Sequence, residues 1–130
     1  MTDIEPMVVR DLLGLDLPQR TLSAYDRPIG LRLLHEDPDS GVELYVVEYS
    51  EGTSAAWHRH SVAHTIVVLA GRLEVNGVGI GPGDLCRYPA GTRMKHEPSA
   101  GTGCRFLMDR ACGSLRTAVT VMRRSPSHRR

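Results

Sequence analysis

Four histidines near the middle of the chain, His58, His60, His64 and His96, have the types and spacing of a metal site. Imidazole nitrogens bind transition metals, and several neutral imidazoles at one point suit Zn, Fe, Ni, Mn or Cu. On a strand, residues two and four apart point to the same face, so the first three side chains can reach a common point. His96 follows a Pro-x-Gly turn, and a separate strand could bring it across to them. The pattern predicts a metal centre with these four ligands; the alternative is that they are ordinary packing or surface histidines.

The elements that must position these histidines read as short β-strands separated by turns. Thirteen glycines and eight prolines in 130 residues are typical of a turn-rich β protein rather than a helix bundle. Asn76-Gly77, between two apolar runs, is a strong β-hairpin signal. The apolar runs and turn residues predict strands over 32–35, 42–49, 57–60, 65–69, 72–75, 78–80, 85–88, 104–109 and 115–122. The sequence therefore predicts an all-β sandwich or barrel.

Length and composition describe one globular domain. The chain has 130 residues, close to the commonest domain size, and its 41% hydrophobic and 24% charged residues are near globular averages. We expect residues 1–30 to form an entry segment of the same domain and residues 31–122 to form the barrel. Residues 123–130, with four arginines and no acidic residue, read as a basic, disordered tail.

Charge and apolar patterning exclude several classes of partner. A net charge of +1 offers no strong field to recruit nucleic acid or an anionic membrane surface. No apolar run approaches the ~18 residues of a membrane span, and the N-terminus lacks a secretory signal. Three cysteines (Cys86, Cys104 and Cys112) without a C-x-x-C pair argue against a disulfide framework. We therefore expect a cytoplasmic protein that acts on a small molecule.

Around the histidines, the sequence resembles the first motif of the cupin superfamily. Gly52 is followed by five residues, His58-Arg59-His60, three residues, His64, six residues and Gly71. This spacing fits the motif throughout, with His64 in the position that usually holds Glu. Replacement of that Glu by His makes an all-nitrogen site, in which a bound metal keeps more positive charge and is a stronger Lewis acid. The alternative is that His64 does not ligate and leaves a three-histidine site.

The second cupin motif is present with one departure. Gly83 is followed by five residues and Pro89-Ala90-Gly91, as the motif requires. The expected histidine position holds Met94, and His96 lies two residues further on, as though Met94 and Lys95 were inserted. Because a shift of two residues keeps a strand side chain on the same face, we expect His96 to remain a ligand.

The resemblance covers about residues 41–109 and implies the double-stranded β-helix, or jelly roll, of the cupins. It is strongest to the subgroup around the anti-sigma factor ChrR and the acetylacetone-cleaving dioxygenases. It implies one divalent transition metal per chain inside the barrel, with Fe(II) favoured and Zn, Ni or Mn as alternatives, and an open coordination position. It also implies a homodimer, because single-domain cupins often pair through N-terminal strands.

The leading functional hypothesis from this resemblance is a bacterial non-haem iron dioxygenase that acts on a small enolisable or phenolic substrate. The first alternative is a non-redox zinc cupin of the polyketide cyclase or isomerase type. The second is a module that senses a metal or a ligand, although the chain lacks the separate N-terminal helical domain of an anti-sigma factor.

Two polar residues that flank His96 are candidate catalytic groups. Arg93 is placed to anchor an anionic or enolate oxygen, and Glu97 to move protons. The alternative is that both are surface charges. Residues in phase with the histidines predict an apolar cavity wall of Ala56, Val62, Ile66 and Val68, to which Tyr45, Trp57, Tyr88, Met94 and Phe106 add aromatic or soft surface or plain core.

Overall fold

The computed structural model describes residues 5–111 and the strand 119–121. Within these residues the chain forms twelve β-strands and no helix, so the predicted all-β fold is confirmed. In chain order the strands are β1 (Gln19–Arg20), β2 (Ile29–Glu36), β3 (Glu43–Tyr49), β4 (His58–His60), β5 (His64–Gly71), β6 (Leu73–Val75), β7 (Val78–Ile80), β8 (Leu85–Tyr88), β9 (Arg93–Met94), β10 (His96–Pro98), β11 (Cys104–Arg110) and β12 (Val119–Val121).

Six strands form the main antiparallel sheet, in the order β1-β2-β3-β11-β5-β8. Two of its inner strands, β11 and β5, follow the two-residue period of a sheet with one buried face. In β11, buried Cys104, Phe106 and Met108 alternate with more exposed neighbours. In β5, the buried positions are His64, Ile66 and Val68. The first histidine of β5 therefore lies on the face that points into the barrel.

Two three-stranded sheets, β10-β6-β7 and β12-β4-β9, carry the other three predicted ligands. The β6–β7 hairpin turns at Asn76 and Gly77, with φ angles of 48° and 86°. Positive φ at both central residues is what a type I′ turn requires, so the predicted hairpin is confirmed.

The hydrophobic core contains residues from all three sheets. Burial of these side chains removes apolar surface from water and holds the sheets together. Its buried members are Ile29, Leu31, Tyr45, Val47, Tyr49, Ile66, Val68, Leu73, Val75, Tyr88, Met94, Cys104, Phe106 and Met108.

The N-terminal segment, defined here as residues 5–28, packs onto the main sheet. β1 pairs with β2, and the Pro18 carbonyl accepts a hydrogen bond from the Leu31 amide at 2.9 Å. The Arg105 guanidinium in β11 donates to the carbonyls of Leu12 and Leu15 at 2.8 and 2.9 Å. Since β2 begins at Ile29, the expected boundary after residue 30 falls within a strand.

Three short strands were missed by the sequence analysis: β1, β9 and β10. Each has two or three residues, too few to show an alternating pattern. Of the predicted strand 115–122, residues 119–121 form β12. The rest of that strand, Cys112 and the predicted tail 123–130 lie outside the described residues.

Candidate metal centre

Three of the four predicted ligands meet inside the barrel. His58 and His60 lie on β4 and His96 on β10, and one ring nitrogen from each lies within 4.8 Å of the other two. All three side chains are at most 2% exposed. Convergence of three buried imidazole nitrogens on one point is the geometry that a transition-metal site needs.

Hydrogen bonds select which nitrogen of two of these rings faces the shared point. His58 Nδ1 lies 2.9 Å from the Ala56 carbonyl, which can only accept, so Nδ1 carries the proton and Nε2 has the free lone pair. His96 Nδ1 lies 2.7 Å from the Tyr49 hydroxyl, and His96 Nε2 is buried without a partner. Such polar contacts on the far nitrogen are how proteins orient histidine ligands. The residues therefore fit a bound divalent ion.

Burial keeps these imidazoles neutral. It lowers the pKa of His60 to about 2, with smaller contributions from His64, His58 and Arg110. It also lowers the pKa of His58, and that of His96 falls well below the ordinary value. A neutral ring keeps the lone pair that a metal ligand must offer, so the cluster is ready to bind a cation at neutral pH.

His96 reaches the cluster because the chain changes partners between β9 and β10. Met94 pairs with His58 in one small sheet, whereas His96 pairs with Val75 in the other. Asn76 holds the intervening link, since its Oδ1 accepts from the Lys95 amide at 2.9 Å and its Nδ2 donates to the Arg93 carbonyl at 3.1 Å. Met94 and His96 are both buried on the inner face, as the two-residue shift predicts.

His64 is buried beside the cluster but is not one of its three converging members. Its ring lies 4.3 Å from the His60 ring and 5.1 Å from the Tyr88 ring, measured between centroids. Neither ring nitrogen meets a partner at hydrogen-bonding geometry, although the Val62 backbone lies near enough to affect its pKa. Burial is the main reason that the His64 pKa falls to about 4, and Arg110 adds to it.

A buried ion pair lies at the His64 end of the barrel. Arg110 pairs in register with His64 across β11 and β5, and its Nη1 lies 3.4 Å from Glu43 Oε1. Glu43 also accepts a hydrogen bond from the Tyr45 hydroxyl at 3.2 Å. The Tyr45 ring therefore belongs to the core, and its hydroxyl joins this polar network.

The structure does not bring Arg93 and Glu97 together with the histidines. Arg93 is exposed, and its guanidinium lies 4.0 Å from the centre of the Trp57 ring. Glu97 Oε2 accepts from the Ala55 amide at 2.8 Å, and its Oε1 lies 3.8 Å from Lys95 Nζ. Arg93 and Glu97 are each next to a buried, inward-facing residue, Met94 and His96 respectively. Because neighbouring side chains on a strand point to opposite faces, Arg93 and Glu97 point away from the histidines.

A cavity of about 220 Å³ opens onto His58, His60 and His96. The wall of this cavity differs from the predicted wall. Of the predicted residues it includes Phe106, and it lacks Ala56, Val62, Ile66, Val68, Trp57, Tyr88 and Met94. Ile66 and Val68 belong to the core, and Ala56 is exposed. The remaining lining residues are Thr21, Leu22, Ser23, Ala24, Tyr25, Ile29, Leu31, Val47, Tyr49 and Met108.

Two tyrosines at this cavity were not identified from the sequence. Tyr49 occupies the last inward position of β3, so the alternation of that strand indicates its direction. Tyr25 lies in the N-terminal segment outside any strand, and no local pattern places it at the site. Burial raises the pKa of both hydroxyls, so they are protonated at neutral pH.

The comparisons with known proteins agree with this architecture. The family model described as "Cupin domain" matches residues 45–108. The polyketide cyclase RemF from Streptomyces resistomycificus is 24% identical, with a TM-score of 0.72 over 95% of this chain and 89% of that chain. A putative acetylacetone dioxygenase from Methylibium petroleiphilum is 19% identical, with a TM-score of 0.73 over 98% and 86%. A cupin-like protein from Thermotoga maritima is 13% identical, with a TM-score of 0.72 over 85% and 87%. Among curated proteins, no match was found.

Fold and site define a class: an all-β barrel with a buried histidine cluster suited to a divalent metal ion. The chain belongs to the cupin superfamily, as both motifs, the family model and the similar structures agree. The described residues contain no helix long and apolar enough to cross a membrane.

Proposed function

We propose that this cupin is a metal-dependent enzyme that acts as a non-haem iron dioxygenase on a small enolisable or phenolic substrate. The observation that carries the proposal is the convergence of three neutral, buried imidazoles at one small, mostly apolar cavity. Sites that combine an apolar pocket with a few convergent polar groups are typical of small-molecule chemistry. The similar structures of a putative acetylacetone dioxygenase and of an acetylacetone dioxygenase support the same substrate class.

His58, His60 and His96 would hold the ion, which supplies Lewis acidity and, when it is iron, redox chemistry with dioxygen. The chain's own residues do the rest. Because the three ligands are neutral, they leave the positive charge of the ion available to an enolate or phenolate oxygen. The Ala56 carbonyl and the Tyr49 hydroxyl hold the His58 and His96 rings in place.

The cavity selects a small substrate and limits the access of water. Its volume of about 220 Å³ suits a small molecule. Ile29, Leu31, Val47, Phe106 and Met108 provide an apolar wall. An apolar enclosure strengthens electrostatic interactions at the reacting oxygen because fewer water molecules screen them.

A second candidate function is favoured by the two unpartnered ring nitrogens of His64. If this ring ligates as well, the ion would be held by four neutral imidazoles. Such a four-histidine site suits non-redox Lewis-acid chemistry, such as cyclisation or isomerisation of an enolisable substrate. The similar structure of the polyketide cyclase RemF supports this alternative.

Turnover by metal-loaded protein distinguishes the two functions. The protein is reconstituted without oxygen using Fe(II) or Zn(II), then mixed with β-diketones or hydroxylated aromatic ketones while dioxygen uptake and substrate loss are followed. Dioxygen uptake that accompanies substrate loss in the Fe(II)-loaded protein, but not in the Zn(II)-loaded protein, supports the dioxygenase. Substrate conversion with Zn(II) and without dioxygen uptake supports the cyclase or isomerase.

Three variants accompany this assay. His58→Gln removes a proposed ligand and is expected to abolish either activity, whereas His35→Gln alters an exposed histidine on β2 and is expected to leave it unchanged. His64→Gln keeps wild-type metal affinity and activity if three histidines bind the ion, whereas it binds the ion more weakly and loses activity if four do. Metal-loaded protein that converts none of these substrates would contradict the proposed function.

A further inference from the structure

The cavity wall contains a chain of three hydrogen-bonding groups that ends at a proposed metal ligand. The Tyr25 hydroxyl lies 2.6 Å from the Tyr49 hydroxyl, which in turn lies 2.7 Å from His96 Nδ1. All three residues line the cavity. The Tyr25 and Tyr49 rings also pack against each other, with centroids 5.1 Å apart. The chain therefore connects the N-terminal segment with the histidine cluster.

The Tyr25 side chain is held at this point by its backbone. The Tyr25 amide donates to the Leu22 carbonyl at 3.2 Å, which closes a turn. Tyr25 and Ala55 form an isolated antiparallel bridge, and the Ala56 amide donates to the Ala24 carbonyl at 2.7 Å. The backbone at Tyr25 is therefore fixed from two sides, with its side chain at the cavity.

Ligation fixes the direction of the hydrogen bond between His96 and Tyr49. His96 Nε2 is the buried nitrogen without a partner, so it is the nitrogen available to a metal, and ligation there requires its lone pair. The proton of neutral His96 must then be on Nδ1, which donates to the Tyr49 oxygen. Tyr49 is buried, whereas Tyr25 is half-buried at the cavity, so the Tyr49 hydrogen is the one that needs an acceptor within the protein. Tyr49 therefore donates to the Tyr25 oxygen, and the Tyr25 hydrogen remains available.

The Tyr25 hydrogen has no acceptor within this chain of bonds. Among the described residues, Tyr49 is the one hydrogen-bond partner given to the Tyr25 hydroxyl, and Tyr49 uses it as an acceptor in this arrangement. A half-buried donor that faces a mostly apolar cavity gains little from water, and a ligand oxygen in the cavity gives it an acceptor.

We propose that Tyr25 is a substrate-binding residue that donates a hydrogen bond to a carbonyl or enolate oxygen of the molecule in the cavity. This assignment rests on the proposed function, because it takes His96 Nε2 as a ligand. Tyr49 acts as a positioning residue, since it sets the direction of the Tyr25 donor without itself needing to reach the substrate. The N-terminal segment is thus part of the site.

Binding of acetylacetone to the Zn(II)-loaded protein tests the assignment without turnover, by calorimetry or by the absorbance of the enolate. Tyr25→Phe removes the donor and keeps the ring, so we expect an affinity about tenfold lower with unchanged zinc affinity. Tyr88→Phe is the matched control, because the Tyr88 hydroxyl lies 3.3 Å from Asn76 Oδ1 and does not line the cavity. Wild-type affinity in Tyr25→Phe would overturn the proposal.

The tautomer of His96 provides an independent test. Nitrogen NMR of the Zn(II)-loaded protein with ¹⁵N-labelled histidine is expected to show His96 protonated at Nδ1. A proton on Nε2 would reverse the chain of hydrogen bonds and overturn the role of Tyr25. If the wild-type protein fails to bind acetylacetone although His96 carries its proton on Nδ1, the proposed substrate class fails while the donor direction stands.

Discussion

At the scale of single residues, the site depends on histidines that are kept neutral by burial and oriented by their far nitrogens. The His58 ring is oriented by a backbone carbonyl and the His96 ring by a tyrosine hydroxyl. This arrangement supplies lone pairs without a local negative charge. Acid is therefore expected to act by protonating the buried histidines, whereas loss of the Tyr49 hydroxyl is expected to act on the orientation of the His96 ring.

The depressed histidine pKa values predict that the metal-free protein loses stability in acid. His60 and His64 have pKa values of about 2 and about 4 in the folded chain, against 6.5 when exposed. Below pH 6.5 these two histidines take up protons in the unfolded chain but stay neutral in the folded chain. The free energy of unfolding therefore falls as the pH falls from about 6.5 to 4. Each such histidine contributes up to about 1.4 kcal/mol per pH unit.

Urea unfolding of the metal-free protein at several pH values between 7 and 4 measures this slope. His64→Gln is expected to make it shallower, whereas His35→Gln is expected to leave the contribution of the cluster intact because His35 is exposed. A slope that does not change in His64→Gln would contradict the burial argument.

Loss of the Tyr49 hydroxyl is expected to weaken the metal site. Tyr49→Phe leaves His96 Nδ1 without its partner at 2.7 Å, while the ring and its packing are retained. Loss of such an outer contact typically lowers metal affinity by about 10- to 100-fold. Competition for Zn(II) with a chromophoric chelator measures the effect, with Tyr88→Phe as the control. Equal affinity in Tyr49→Phe and wild type would show that this hydrogen bond does not orient the ligand.

The sequence predicts the histidines of the site, but it does not predict the residues that long-range packing brings to the cavity. His58 and His60 are predicted by their two-residue spacing, and His96 by the face that a shift of two preserves. Arg93 and Glu97 were chosen because they lie near His96 in sequence, yet odd offsets on a strand point away from it. Tyr25 is brought to the cavity by long-range packing, which no local pattern encodes.

At the scale of elements, glycines allow the chain to turn sharply where one short strand ends and the next begins. Gly71 ends β5 with φ of +75°, and a Cβ atom there would lie 2.0 Å from the Gly103 carbonyl oxygen. This is the last glycine of the first motif. Its place in the motif is thus explained by close approach of two backbones, in addition to its left-handed conformation.

Gly71→Ala is therefore expected to destabilise the fold severely. Positive φ alone costs a non-glycine residue about 1 kcal/mol, and the backbone clash adds to this cost. Gly101→Ala is the matched control, because Gly101 has φ of +82° and open space around its Cβ position. Chemical denaturation is expected to show a larger loss for Gly71→Ala. Equal losses in the two variants would mean that the clash relaxes without cost.

The strands of the main sheet were largely predictable, whereas β9 and β10 were not. The long strand β3 is rich in β-branched and aromatic residues, and β5 combines β-branched residues with a two-residue period. The link between β9 and β10 is defined instead by Asn76, which is remote in sequence and bonds Lys95 and Arg93. Such cross-strand side-chain contacts are not visible in a local window.

At the scale of the whole molecule, the N-terminal segment completes the cavity, and hydrogen bonds along its length attach it to the barrel. Arg105 joins it to the barrel by donating to the Leu12 and Leu15 carbonyls while its Nε donates to Glu48 at 2.6 Å. A lysine cannot reproduce this branched geometry. The homodimer implied by the cupin resemblance stays a prediction.

Arg105→Lys is expected to loosen the N-terminal segment without unfolding the barrel. Limited proteolysis should cut the variant faster between residues 5 and 18, while its zinc affinity stays close to that of the wild type. Arg87→Lys is the control, since Arg87 is exposed and donates to Thr65 Oγ1 on the barrel itself. Equal cutting rates in wild type and Arg105→Lys would remove Arg105 from this role.

The central claim is that His58, His60 and His96 together bind one divalent metal ion. Elemental analysis of untagged protein, reconstituted with Zn(II) and dialysed, tests it most directly, with His96→Gln and His35→Gln treated in parallel. We expect about one ion per chain in the wild type and in His35→Gln, and almost none in His96→Gln. A wild-type protein that retains no metal, or a His96→Gln variant that retains as much as the wild type, would contradict the account.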